Sequence, residues 1–354
     1  MPFRRGLLFL ALLLMATGCL PRSCQRERNQ ALMPADSLSR RVAQTVPVDT
    51  LQRLWTTQGP EDARMALPRT VRFLPDGRLV LTDAERNQLY YVGTNGTVQQ
   101  TMRPEAFDVP YIAGVRGDTV VVFNAGADRF DLVVNGRRLS QRSVVFQRPA
   151  EETLVYTLAT ATSFYAKVVG EETPGFIGRL DDRGRVVARM PLSGPTWRQA
   201  GFLRAWGDSL LSLTGFRPVI DMAPLDFEDG ATVDSTTLVG FDSPMLERSY
   251  SFLQGDTSKP PLLTVSAAPL GGRLFVLNLR PGWLRIDVYD RDGRLARALT
   301  ERNRDGSRND YPRDLAVRRT PDGVLLAVVR SAPTPQLELY RWQPPDRTRT
   351  TARK

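Results

Sequence analysis

Short apolar segments separated by tight turns occupy most of the chain. Residues 71–74 and 78–81 flank Pro75-Asp76-Gly77, and an Asp-Gly pair at a hairpin tip supplies the positive φ that a tight turn needs. Hairpins of the same kind recur in five further places, and only the copy at Leu154 lacks the glycine turn. These five hairpins begin at Ile112, Leu154, Phe202, Leu263 and Leu315.

A second hairpin follows the first in five of the six units. Residues 89–92 turn at Asn95-Gly96, and residues 286–289 turn at residues 290–293. In the fourth unit, residues 238–241 lead into a predicted strand at residues 246–252. Amphipathic helix periodicity is absent from residues 19–354. The sequence therefore predicts units of four strands without helices.

The spacing of the units predicts how they assemble. Gly77 and Gly323 mark the same turn five repeats apart, so each unit has about 49 residues. Four strands in about 40–50 residues are typical of propeller blades, whose two apolar faces only neighbouring blades can cover. We predict an all-β fold, a six-bladed β-propeller of four-stranded antiparallel blades at residues 42–343. An open sandwich or two separate barrels is the alternative.

The sixth unit has three evident strands, the last at residues 337–342. Residues 48–55, near the start of the folded part, are predicted to supply the fourth. This pairing would close the ring by joining the two ends of the chain.

One unit resembles the NHL-type repeat. The segment from Pro75 to Asp83 matches its conserved core, and Asn87-Gln88-Leu89 and Asn95-Gly96 match the remainder. The resemblance implies a propeller. Because NHL-like propellers include scaffolds, receptors and hydrolases, it implies no particular activity.

The first residues resemble the leader of a bacterial lipoprotein. Arg4 and Arg5 precede an apolar stretch at residues 7–15, which is too short to span a bilayer. Ala16-Thr17-Gly18-Cys19 resembles a lipobox, which implies a signal peptide at residues 1–18 and lipidation of Cys19. An ordinary secretory leader is the alternative.

The regions flanking the propeller are polar or basic. Residues 19–41 are predicted to be a flexible tether, with no role assigned to Cys24, and residues 344–354 a basic tail. Leu20 stands where some bacterial lipoproteins carry the Asp that retains them at the inner membrane. We therefore expect a cell-envelope protein held by its lipid in the outer membrane, facing the periplasm or the cell surface.

The amino-acid composition excludes several classes of catalytic and metal site. The chain has no histidine, and its two cysteines are Cys19 and Cys24, which excludes Ser-His-Asp triads, Cys-His pairs and histidine-ligated metals. The net charge of +10 comes mainly from arginines. They are spread along the chain rather than gathered in a stripe, so nucleic acid is not an expected partner.

A candidate binding face combines aromatic residues with arginines and acids. It includes part of the segment at residues 215–234, which is predicted to be a long loop, and long loops are often functional. Exposed aromatics beside arginines suit a protein, peptide or glycan partner; aromatics capping the blade cores, with an idle insertion, are the alternative. The candidate residues are Trp197, Arg198, Phe216, Arg217, Asp226, Phe227, Trp283, Tyr311, Arg313 and Asp314.

Calcium is the one cofactor that the sequence raises. Glu301, Asn303 and Asp305 precede Gly306 and resemble the start of a calcium loop, but the twelfth position is Pro312 rather than Glu. A polar turn between blades is the alternative. A rise in melting temperature on calcium titration would identify a real site.

The expected function is that of a monomeric, lipid-anchored binding or scaffold module without a cofactor. A propeller hydrolase or lyase, calcium-dependent and lactonase-like or glycan-cleaving, is the alternative. Propeller blades surround a central channel, and the first strand of each blade is the inner one, next to this channel. Such an enzyme needs several carboxylates and amides at the channel. The starts of the inner strands carry mainly Asp108 and Asp314 as polar residues of this kind. This scarcity favours binding over catalysis.

Overall fold

A computed structural model describes residues 36–105, 107–134, 136–138, 144–147, 153–171, 174–280, 283–301 and 311–345. Two elements precede the first sheet: helix α1 (Asp36–Thr45) and strand β1 (Val48–Thr57), followed by a 3₁₀ turn (Glu61–Ala63). The first sheet contains β2 (Pro68–Phe73), β3 (Leu79–Asp83), β4 (Gln88–Val92) and β5 (Val98–Met102). The second contains β6 (Pro110–Arg116), β7 (Thr119–Asn124), β8 (Arg129–Val134), β9 (Arg137–Arg138) and β10 (Val144–Val145).

Two further sheets are separate four-stranded units. The third contains β11 (Leu154–Ala159), β12 (Phe164–Val169), β13 (Phe176–Leu180) and β14 (Val186–Pro191). Helix α2 (Thr196–Gln199) leads to the fourth sheet, which contains β15 (Leu203–Trp206), β16 (Ser209–Leu213), β17 (Val219–Pro224) and β18 (Asp234–Thr237). Helix α3 (Leu246–Gln254) follows.

The remaining strands form one eight-stranded sheet. It contains β19 (Thr264–Leu270), β20 (Arg273–Asn278), β21 (Arg285–Tyr289), β22 (Leu295–Glu301), β23 (Tyr311–Thr320), β24 (Gly323–Ala332) and β25 (Gln336–Trp342), together with β1. β19 to β22 are one antiparallel meander, and β23, β24, β25 and β1 are a second. The two meanders are joined because β1 also pairs in parallel with β22.

The predicted pairing of the two chain ends is confirmed. Residues 52–57 of β1 run antiparallel to residues 337–341 of β25. The parallel pairing of residues 48–51 with residues 298–301 was not predicted. It merges two neighbouring meanders into one sheet, because the first part of β1 pairs with β22 and the second part with β25.

The described chain is an all-β propeller of four-stranded antiparallel blades. The first strands of successive meanders contact one another in a closed cycle, β2, β6, β11, β15, β19, β23 and back to β2. Apolar clusters lie between neighbouring blades. Val80 and Leu89 of the first blade, for example, pack with Ile112 and Val120 of the second.

Polar side chains at the ends of second strands fix the loops at one end of the channel. The Asp83 carboxylate accepts hydrogen bonds from the backbone N–H groups of Ala66 and Leu67 at 2.7 and 3.1 Å. Asn124, at the same place in the next blade, accepts one from Asp108 at 2.7 Å. These bonds position the segments that lead into the inner strands β2 and β6.

The prediction that residues 36–41 belong to a flexible tether is wrong, because they form the first part of α1. Val42 is buried against the fourth blade with Phe241, and the Gly240 N–H donates to Ser39 Oγ at 2.9 Å. Leu38, by contrast, is exposed. The segment is mostly polar, so its composition resembles that of a tether although Ser39 and Val42 are buried on one helical face. The signal peptide, Cys19 and residues 20–35 lie outside the described residues, as do residues 346–354 of the predicted tail.

Residues 246–252, predicted as a strand, lie in α3. The helix ends at Gly255, whose φ of 87° forms a left-handed cap. Its buried residues, Ser249 and Leu253, are four apart and share one helical face. None of the described helices is long and apolar enough to cross a membrane.

The segment at residues 215–234 is not one long loop, because it contains strand β17. β17 pairs with β16 at residues 220–224 and with β18 at residues 219–222. The prediction failed because Asp221 and Pro224 interrupt the apolar run of β17. Asp221 is nevertheless buried, since its carboxylate pairs with Arg198. What remains is a short connection at each end of β17.

Gly114 is predicted to allow the close approach of β6 and β11. A Cβ atom there would lie 2.1 Å from the Ala159 carbonyl oxygen. Gly114→Ala should therefore lower the free energy of unfolding by about 1–3 kcal/mol, the usual cost of overpacking, measured by chemical denaturation. Gly272→Ala is the matched control, because nothing lies within 4 Å of its Cβ position. Equal stability of the two variants would contradict the close contact.

Candidate functional site

A pocket of about 190 Å³ opens at the end of the channel where the inner strands begin. Each inner strand, or the residues just before it, contributes to the wall. The contributing side chains are Arg69 (β2), Tyr111 (β6), Tyr156 (β11), Phe202 (before β15), Leu262 (before β19), Thr264 (β19) and Arg313 (β23). Phe216, from the connection between β16 and β17, completes the apolar part.

One residue further along β23, the fully buried Asp314 crosslinks the inner strands. Its carboxylate accepts hydrogen bonds from Arg72 at 2.7 Å, from Arg204 at 2.8 Å and from Ser266 Oγ at 2.5 Å. The backbone N–H of Val71 donates a fourth at 3.0 Å. Burial alone would raise the pKa of Asp314, but the charges of Arg72 and Arg204 and these hydrogen bonds lower it. Asp314 is therefore ionised and connects β23 with β2, β15 and β19.

Among the described residues, two arginines of the pocket have no carboxylate partner. The Arg313 Nε donates to Ser331 Oγ at 2.6 Å, whereas the Arg69 Nε is buried without a hydrogen-bond partner. Burial lowers the pKa of Arg313, and the charge of Arg69 lowers it further. Among the described lining residues there is no Asp, Glu, Asn or Gln. The described pocket wall is therefore cationic and aromatic.

A buried lysine lies behind the Tyr156 side of the wall. Lys167 Nζ donates to Ser212 Oγ at 2.8 Å and to the Gly201 carbonyl at 3.1 Å, and it lies 5.7 Å from the Tyr156 ring centroid. Burial lowers the pKa of Lys167 to about 7, partly opposed by Asp221. Burial also raises the pKa of Tyr156 to about 12.

Eight of the ten residues of the predicted binding face fall into three groups, and Tyr311 and Trp283 lie outside them. Phe216 and Arg313 line the pocket, and Asp314 is buried beside it. Tyr311 is exposed at the start of β23. Trp283, before β21, has Arg280 at 4.7 Å from its ring centroid.

The second group fills the junction between α2, β17 and α3. Arg198 is buried and binds both carboxylate oxygens of Asp221 at 2.8 and 2.9 Å. Arg217 is fully buried, 5.0 Å from the Trp197 ring, and Trp197 meets Phe252 edge-on. These contacts agree with the alternative in which aromatics cap the core.

The third group, Asp226 and Phe227, lies between β17 and β18, at the end of the blade opposite the pocket. Phe227 is buried with Tyr165 in a core cluster.

Of the candidate calcium ligands, Glu301 is the one within the described residues. Its carboxylate accepts a hydrogen bond from Tyr340 at 2.9 Å and lies 3.6 Å from Arg330. Asn303 and Asp305 lie outside the described residues. Within the described ranges, no group of three His, Cys, Asp or Glu residues could hold a metal ion.

Sequence reasoning missed most of the pocket wall, including Arg69, Tyr111, Tyr156 and Phe202. These residues hold similar places, at or just before the start of the first strand of their units. An alignment of the six predicted units at that place would have grouped them. Asp108, singled out as an acidic exception at such a start, is exposed before β6.

Comparisons with known proteins support the fold. No protein-family model matches the chain, and a search of curated proteins found no match. The chain resembles the solved structure of regucalcin from Agrobacterium tumefaciens, a calcium-binding protein, with a TM-score of 0.53 and 12% identity over 84% of this chain and 95% of that one. It resembles virginiamycin B lyase from Staphylococcus aureus with a TM-score of 0.50 and 11% identity over 83% and 99%. At such identities the likeness shows a propeller fold alone.

Lys167 is predicted to make stability depend on pH. Between pH 7 and 10 the unfolded chain holds a proton that the buried amine has lost, so the free energy of unfolding should rise with pH, by up to roughly 1.4 kcal/mol per unit. Denaturant unfolding at pH 7, 8, 9 and 10 measures this slope. Lys167→Met should flatten it, whereas Lys259→Met, at an exposed site, should not. The same slope in wild type and Lys167→Met would contradict the buried neutral amine.

Proposed function

We propose that the protein is a lipid-anchored, cell-envelope binding module whose ligand enters the pocket at the channel mouth. One observation carries the proposal: inner strands from around the ring place arginine and aromatic side chains on one concave wall. Ligand sites are typically concave and mostly apolar, with a few polar groups that fix orientation. The partner is a protein, peptide or glycan that inserts a small group into the pocket.

The proposal includes six blades. The eight-stranded sheet separates into two antiparallel meanders, which with the other four sheets make six units. The closed cycle of six inner strands supports the same number. The NHL-like match at residues 75–83 falls on the turn and second strand of the first blade, where Asp83 fixes the entry to β2.

Binding is favoured over a carboxylate-based hydrolase or lyase by the chemistry of the wall. Such enzymes position acids or bases whose pKa lies near the working pH. Among the described lining residues the ionisable groups are two arginines and two tyrosines. The pKa of Tyr156, at about 12, leaves its phenol protonated at neutral pH. These groups can donate hydrogen bonds to a ligand, but they are poor bases.

The anchor is proposed from the leader sequence, with Cys19 carrying the lipid. Incorporation of a labelled fatty acid tests it. Cys19→Ser should abolish labelling, and Cys24→Ser should leave it intact; equal labelling of both variants would remove the anchor from the proposal.

A second candidate function rests on the contact between Ser212 and Lys167. A serine hydroxyl 2.8 Å from an amine whose pKa is about 7 has the geometry of a Ser-Lys nucleophile pair. Both side chains are buried and neither lines the pocket, so an acyl hydrolase of this kind needs the Tyr156 wall to open. Labelling by a fluorophosphonate that Ser212→Ala abolishes would establish this activity, and absence of labelling would leave the pair structural.

Photo-cross-linking in intact cells tests the binding proposal. A photoreactive phenylalanine analogue at Phe202, on the pocket wall, should form adducts with an envelope component. The same analogue at Arg183, exposed in the hairpin at the opposite end of the third blade, should not. Equal adducts at both positions, or none at Phe202, would contradict a partner at the pocket.

A further inference from the structure

We propose that the pocket binds the anionic group of a small aromatic or apolar acid, with Arg69 and Arg313 as the anion ligands. This inference rests on the proposed binding function and names the chemical class of the group that the partner inserts into the pocket. The acid is a carboxylate or a phosphate monoester attached to a body no larger than about one ring.

The arginines around the channel mouth differ in how their charge is balanced. Arg72 and Arg204 both bind the Asp314 carboxylate, at 2.7 and 2.8 Å. Among the described residues, neither Arg69 nor Arg313 forms a salt bridge, and Arg313 has Ser331 as its side-chain acceptor. Asp314 is fully buried and already accepts four hydrogen bonds, so it is not available to the second pair.

Two partly buried guanidinium groups in one pocket are an unfavourable arrangement without an anion. Burial and the neighbouring Arg69 lower the pKa of Arg313, because both disfavour its charged form. The buried Arg69 Nε has no acceptor, and a buried donor without a partner carries a desolvation cost. A carboxylate or phosphate would neutralise the pair and accept these hydrogen bonds, and arginine forks suit both groups geometrically.

The rest of the wall is suited to an apolar body of limited size. Phe202, Phe216 and Leu262 provide apolar surface, and the rings of Tyr111 and Tyr156 complete it. An apolar cavity of about 150 Å³ accommodates benzene, so a pocket of about 190 Å³ accommodates one ring with its acidic group. Arg204, 5.2 Å from the Phe202 ring centroid, helps to hold that ring in the wall.

Calorimetric titration of the mature lipoprotein in detergent tests the inference. The probes are benzoate, phenyl phosphate, inorganic phosphate and the neutral benzamide, at two salt concentrations. Benzoate or phenyl phosphate should bind, inorganic phosphate more weakly, and benzamide not measurably. The better of the two aromatic probes identifies the acidic group.

Arg69→Gln and Arg313→Gln should each weaken binding of the better probe about 10- to 100-fold, the effect of losing a hydrogen bond to a charged group. Arg319→Gln is the matched control, because Arg319 lies on β23 but is exposed away from the pocket. Without ligand, the Arg313→Gln variant should melt no lower than wild type, since it removes one of two like charges. This melting measurement separates loss of the site from loss of the fold.

Three results would overturn the inference: equal binding of benzoate and benzamide, unchanged affinity in both glutamine variants, or an equal loss in Arg319→Gln, which would indicate general surface charge. Adducts at Phe202 without binding of any anionic probe would leave the binding function standing and reject the acidic ligand. Absence of both would reject the two proposals together.

Discussion

The buried carboxylate of Asp314 is the interaction on which the centre of the propeller depends. A charge removed from water is costly unless it is paired and its hydrogen-bonding capacity is filled. Asp314 meets both conditions by accepting from two arginines, a serine hydroxyl and a backbone amide. Since those donors belong to β2, β15 and β19 while Asp314 belongs to β23, one side chain fixes four inner strands in a ring. The apolar clusters between blades hold neighbours together, but Asp314 joins strands that are not adjacent, such as β15 and β23.

The need of a buried charge for a partner also accounts for the cationic wall of the pocket. A single carboxylate can compensate a limited number of arginines, and Arg72 and Arg204 occupy it. Arg69 and Arg313 are left facing the mouth with aromatic neighbours. The structure thus separates the arginines that pair with Asp314 from the two arginines that line the pocket. Lys167 is also a buried cationic side chain, but its amine donates to the Gly201 carbonyl and the Ser212 hydroxyl rather than to a carboxylate. Burial lowers its pKa to about 7.

The parts of this architecture that local sequence determines were predictable. Asp76-Gly77 specified a hairpin because few residues other than glycine adopt its positive φ, and the missing fourth strand of the last unit located β1. The helices escaped detection because α1 is mostly polar and because residues 246–252 were interpreted as a strand although Gly255, a helix-ending residue, follows them closely.

The candidate site was less predictable because burial of a charge depends on partners that are remote in sequence. Arg198 and Arg313 have similar surroundings in the sequence, because each lies within two residues of an aromatic residue. Arg198 is buried because it pairs with Asp221 on β17. Arg313 donates to the Ser331 hydroxyl instead and lines the pocket. Phe216 and Arg313 were identified as part of the predicted binding face. Arg69, Tyr111 and Tyr156 were missed because the starts of the inner strands were searched for carboxylates and amides only.

The most direct test of this account is the free energy of unfolding of Asp314→Asn at neutral pH. The asparagine is nearly isosteric but leaves Arg72 and Arg204 without a counter-charge inside the ring. Removing one partner of a buried ion pair typically lowers stability by about 3–5 kcal/mol, and we predict a loss of that size by denaturant unfolding. A loss below about 0.5 kcal/mol would show that the ring stands without its central carboxylate.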